Sequence, residues 1–70
     1  MAEVDYVLVH EAERFITGAN AHCIRQWIAC YQLASTCASH ARYERLLRDF
    51  VTSQKLNGYL KKRRLATRPE

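Results

Sequence analysis

From Ala21 to Leu56, about half of a 70-residue chain, there is neither a glycine nor a proline. Such a stretch has no residue that stops a helix or opens a tight turn, so it must be one long helix or two helices joined by a bend. The only breakers elsewhere are Gly18, Gly58 and Pro69, and 49% of the residues are hydrophobic. An all-α chain follows. Hydrophobic phase helps to choose between the two arrangements. At about 100° per residue and with Ile24 at zero, Ile24, Trp27, Ile28, Tyr31 and Ala38 centre near ~330°, whereas Tyr43, Leu46, Leu47, Phe50 and Val51 centre near ~100°. A single straight helix would aim these stripes in different directions. A break near "ASTCASH" is expected, because Ser35, Thr36 and Ser39 compete for backbone hydrogen bonds and serve as caps.

Upstream, residues 3–16 place Val4, Val7, Leu8, Ala12, Phe15 and Ile16 at helical spacing, with Asp5, Glu11 and Glu13 mostly off that face and acids near the N-terminus. "VDYVLV" is also rich in strand-forming residues; the segment is read as a helix, with a short strand at residues 4–9 as the alternative. "TGAN" ends it, Gly18 suiting a C-terminal cap and Asn20 the start of the next helix. Helices are therefore expected at about 3–16, 21–38 and 40–56, the last stopping at Asn57-Gly58. They form a single helical domain over residues 1–58, a small helical hairpin or three-helix unit, followed by a basic C-terminal tail or short helix over 59–70. No repeat or low-complexity segment is present. The longest apolar run, Trp27 to Tyr31, is far short of the roughly 20 residues that span a bilayer, so no membrane partner is expected.

All three cysteines, Cys23, Cys30 and Cys37, fall in "HCIRQWIACYQLASTCASH" at a spacing of seven. On a helix each step is about 10.5 Å. Zinc holds sulfur at about 2.3 Å and a disulfide needs Cα atoms within about 7 Å, so no two of them can share a metal or a bond within one helix. Cys37 and His40, three apart, could supply two ligands or a nucleophile and base, but nothing nearby suggests an oxyanion hole or a glycine-rich loop. No metal site, cofactor or catalytic residue is assigned. Cys23, Trp27, Cys30, Ala34, Cys37 and Ala41 instead step four-three-four-three-four, the a/d pattern of a helix seam, and all but Trp27 are small. Ile24, Ile28, Tyr31 and Ala38 make a second apolar edge beside it. Two apolar edges are more than the other helices of so short a chain can cover, and a 70-residue domain has a marginal core of its own. A C2 homodimer, a homodimeric helical bundle joined along this seam, is the expected solution.

The net charge of +4 is unevenly spread. Residues 1–54 carry five arginines against six acids, whereas residues 55–70 carry six cations against Glu70 alone. The body is near neutral, so the pI of 9.3 says little about it. The cluster Lys61, Lys62, Arg63 and Arg64 has the composition of a patch for phosphate or an acidic partner, and binding to nucleic acid through it would be salt-dependent. Arg42, Arg45 and Arg48 form a row on the third helix. With Glu44 and Asp49 interspersed, they also suit ordinary i to i+4 pairing, for example Arg45 with Asp49.

Tyrosine, tryptophan and arginine are the types enriched at interface hot spots. Tyr6, Tyr31, Tyr43 and Tyr59 are too many to bury in so small a core, and with Arg42 and Arg45 they are the candidate contacts to another protein. An odd cysteine count and an acidic N-terminal stretch without the basic and apolar parts of a secretory signal point to a reduced, cytoplasmic setting. In size and in lack of catalytic groups the chain looks like the small accessory proteins of phages and mobile elements that grip a host regulator or enzyme, which would place it in a bacterial cytoplasm. The expected function is that of a non-enzymatic homodimer that binds and modulates, by inhibition, another protein. The alternative is a nucleic-acid-binding transcriptional regulator using the third-helix arginines and the basic tail, and a thiol or metal sensor across a dimer is a third reading.

Overall fold

A computed structural model describes residues 3–66, with side chains through residue 63. The chain is all-α: α1 (Tyr6–Arg14), a short 3-10 turn (Gly18–Asn20), α2 (Ala21–Leu33) and α3 (Ala38–Ala66).

Residues 4–9 are not a strand. Asp5 caps α1 by accepting the Leu8 N–H on its carboxylate at 3.1 Å, so the helix begins three residues later than its apolar spacing suggests. It also ends two residues early, at Arg14. Val4, Phe15 and Ile16 lie outside the helix but pack half-buried against the core. Leu8, Val9 and Ala12 form the buried face of α1, and Val7, expected inward, is 69% exposed. With Leu8 and Ala12 one turn apart fixing the inward direction, Val9 falls on one flank of that face and Val7 swings outward.

Gly18 takes a φ of +42°, a left-handed conformation suited to glycine, and opens the 3-10 turn. Asn20 occupies the N-cap position of α2, yet its side chain serves the turn behind it. Its Oδ1 accepts the Thr17 N–H at 2.8 Å and its Nδ2 donates to the Phe15 carbonyl.

The bend between the second and third helices falls at residues 34–37, inside the stretch that hydrophobic phase singled out. The Ala34 N–H donates to the Cys30 carbonyl and the Cys37 N–H to the Ala34 carbonyl, each at 2.9 Å, which reverses the chain direction. Trp27 on α2 therefore lies against Phe50, and Tyr31 against His40 and Glu44, as antiparallel packing requires. α1 runs parallel to α3, as Asp5 meets Arg48 and Glu11 meets Lys55. The core at the junction consists of Leu8, Val9, Ala12, Ile24, Ile28, Tyr31, Leu47 and Val51. Phe15 and Trp27 approach Phe50 edge-on, with ring centroids 6.3 and 6.5 Å away.

The expected stop at Asn57-Gly58 does not occur. α3 runs through Gly58 to Ala66, so the boundary at residue 58 falls inside a helix and residues 59–66 continue α3 instead of forming a separate tail or second helix. Gly58 lacks a positive φ, which a glycine helix stop normally uses. One interior glycine costs only about 1 kcal/mol against alanine. Good helix formers, Lys55, Leu56, Leu60, Lys61, Lys62 and Arg63, surround it. Residues 67–70, with Arg68 and Pro69, lie outside the described residues.

Candidate protein-docking surface

One polar network holds the three helices in place. The Tyr31 side chain is fully buried, and its hydroxyl accepts the Asp5 N–H at 2.7 Å while donating to Glu44 Oε2 at 2.9 Å. Arg48 then joins Glu44 at 3.4 Å and Asp5 at 3.2 Å. A single tyrosine thus links the start of α1 to α2 and α3. Burial foremost, with the Glu44 carboxylate beside it, raises the Tyr31 pKa above its ordinary 10.0. His40 is also buried. Its ring stacks on Tyr31 at a centroid distance of 4.5 Å, and its Nδ1 lies 3.2 Å from the Tyr31 carbonyl oxygen. That oxygen can only accept, so Nδ1 carries the proton. Nε2 is left without a hydrogen-bond partner, 3.8 Å from Glu44 Oε2.

These positions alter several sequence-based assignments. Tyr31, expected among the contacts to another protein, is part of the core at 0% exposure and unavailable to a partner. Arg48, grouped with the basic residues for nucleic acid or an acidic partner, is joined to Glu44 and Asp5. No Arg45–Asp49 ion pair forms among the described residues; Arg48 with Glu44 takes the i to i+4 arrangement instead. His40 is turned into the core, whereas Cys37 is exposed in the interhelix turn. Among the described residues no group of three His, Cys, Asp or Glu side chains is placed to hold a metal ion.

The expected six-residue seam does not run as one line. Cys23, Trp27, Cys30 and Ala34 follow one edge of α2 and its end, Cys37 lies in the turn, and Ala41 is exposed on α3 after the chain has reversed. The reversal at 34–37 breaks a heptad that would have needed one continuous helix. Trp27, Cys30 and Ala34 are half-buried and Cys23 exposed. On α3, Tyr43, Leu46 and Phe50 are likewise half-buried on the side of the helix towards Trp27. The hairpin thus has an apolar edge that its own chain covers only in part.

Other candidate contacts are scattered. Tyr6 is 60% exposed on α1, Arg42 and Arg45 lie on the outer side of α3, and Tyr59 is 58% exposed far along it. Lys61, Lys62 and Arg63 follow Tyr59 on the same helix, all exposed; the Arg64 side chain lies outside the described residues. Leu56, 53% exposed, and Leu60, 47% exposed, stand beside Tyr59 at i, i+3, i+4 spacing. The spacing of these two leucines is visible in the sequence, but the stop expected at Asn57-Gly58 hides their place on one helix with Tyr59.

No protein-family model, curated protein or solved structure matches the chain. The arrangement itself defines the class: a small all-α unit whose helical hairpin carries a half-covered apolar edge and a projecting basic end. Among the described residues no helix is long and apolar enough to cross a membrane.

Proposed function

We propose that the protein is a non-enzymatic helical homodimer that binds another protein and modulates it by inhibition, the target being of the kind represented by a transcriptional regulator or an enzyme in a bacterial cytoplasm. The observation that carries this reading is the hairpin edge of Trp27, Cys30 and Ala34 facing Tyr43, Leu46 and Phe50, all six half-buried. Apolar side chains that the chain's own packing covers only in part support a further contact at this edge. A second copy brings the same edge to the first, which is the isologous geometry of a C2 dimer, and Tyr6, Tyr59, Arg42 and Arg45 remain outside it for a different partner.

Light scattering coupled to gel filtration tests the dimer. A mass near twice 8.2 kDa is expected for the native chain, and Cys30→Arg, which would bury an unpaired charge in the seam, should halve it. Capture from bacterial lysate, repeated with nuclease and at raised salt, tests the partner; one stoichiometric protein surviving both treatments is expected. A second reading, nucleic-acid binding, is favoured by one helix carrying Arg42, Arg45, Lys61, Lys62 and Arg63 with every one of them exposed. It requires DNA affinity to fall by powers of ten between low and moderate salt.

A further inference from the structure

We infer that the projecting end of α3, together with the cleft between α1 and α3, seats an acidic amphipathic helix of the partner protein. This deepens the preceding proposal and rests on its reading that the chain acts by binding another protein.

The seat continues one that the chain already uses. Arg48 and Lys55 stand seven residues apart on the side of α3 that meets α1, and α1 supplies an acid to each, Asp5 at 3.2 Å and Glu11 at 2.8 Å. Lys62 is the next member of this repeat, about 10.5 Å further along the same side. α1 has ended at Arg14 and cannot reach it. Lys62 is exposed and forms no ion pair among the described residues. Tyr59 stands between Lys55 and Lys62 on that side with Leu56 beside it, both more than half exposed. Towards the body the line runs into an open cleft lined by Leu8, Glu11, Arg48, Val51, Thr52 and Lys55. The surface thus repeats what α1 recognises, an apolar stripe edged by cations, and its complement is an apolar stripe edged by acids.

Between Asp49 and Glu70 the sequence has no acid, so residues 55–63 of α3 carry their cations without an acid among their own side chains. A second copy is a poor occupant, because the apolar face of its α1 is itself buried at Leu8, Val9 and Ala12. Nucleic acid would meet the cations but leave Leu56 and Tyr59 uncovered.

The test uses the full chain and a panel of fluorescein-labelled 18-residue helical peptides, each with a Leu/Ile stripe flanked by Glu, and counterparts with Lys in place of Glu. Anisotropy titrations should show Glu-flanked peptides binding and their Lys counterparts not. Lys62→Glu and Tyr59→Ala, both at exposed positions, should weaken binding about tenfold while helicity by circular dichroism is unchanged. Lys62→Glu should also gain affinity for the Lys-flanked series. If no Glu-flanked peptide binds more tightly than its counterpart, the inference is overturned. It is equally overturned if a 20-base-pair duplex or phosphatidylserine vesicles bind through Tyr59 and Lys62 where the peptides do not. Either result leaves the dimer and lysate-capture experiments standing, so loss of this seat and loss of the broader proposal are separable.

Discussion

The two halves of α3 belong to the same helix and obey different rules. From His40 to Val51 the helix supplies a core face: His40, Leu47 and Val51 are buried, and Tyr43, Glu44, Leu46 and Phe50 are half-buried. From Lys55 to Arg63 every side chain is exposed. The first half is helical because α1 and α2 bury its face; the second has no such cover, and its helicity rests on the residues themselves and on the helix already nucleated before it. Tertiary packing stabilises one end, and local propensity extends the other.

Substitutions sharpen this contrast. The largest effect is expected at Leu47, 0% exposed at the junction of the helices. Leu47→Ala should cost about 2–5 kcal/mol in urea unfolding, a large share of the stability of a domain this size. An equal truncation of Leu60 costing as much would break the division.

Next in size, Tyr31→Phe removes the hydroxyl that joins the Asp5 amide to Glu44 and should cost about 1–3 kcal/mol. It also carries a pH signature. The folded state raises the Tyr31 pKa above 10.0, so it holds the phenolic proton where the unfolded chain has released it. That contribution is fully present below pH 10 and is lost as pH rises through the folded-state value. Melting temperatures at pH 9 and pH 11 should therefore fall further in the native chain than in Tyr31→Phe.

A smaller effect of opposite sign is expected in the projecting half. A Cβ at Gly58 would meet nothing within 4 Å, so Gly58→Ala should raise helicity by circular dichroism and stabilise the helix by about 0.5–1 kcal/mol. The smallest is Leu60→Gln, expected to shift stability by no more than about 0.5 kcal/mol. A marked loss in urea unfolding would mean that Leu60 is covered in solution, by a second copy or by the body.

Much of the body was legible in the residues. The mismatch in phase between the Ile24 and Leu47 stripes favoured a bend, and the bend lies at 34–37. The seven-residue step between Cys23 and Cys30 separates them by about 10.5 Å on α2, whereas Cys37 lies off that helix, in the turn. Two readings failed because they depended on neighbours. Extending the Cys23 heptad through Cys37 to Ala41 assumed a continuous helix across the very segment whose serines and threonine argued for a break. Treating Asn57-Gly58 as a stop weighed one dipeptide against the strong helix formers around it. His40 and Glu44 could not be assigned to Tyr31 from spacing at all, since a tyrosine on the preceding helix reaches them only once the chain has folded back.

The sequence by itself determined the helical class and the basic end and favoured a bend between the second and third helices, because breakers, periodicity and charge act over a few residues. Only the tertiary structure decided which tyrosine is core and which is surface, that Arg48 is held by Asp5 and Glu44, and that Lys62 outruns the acids of α1. Those outcomes depend on which side chains meet across 26 or 43 residues of chain, and no local pattern specifies such a distance.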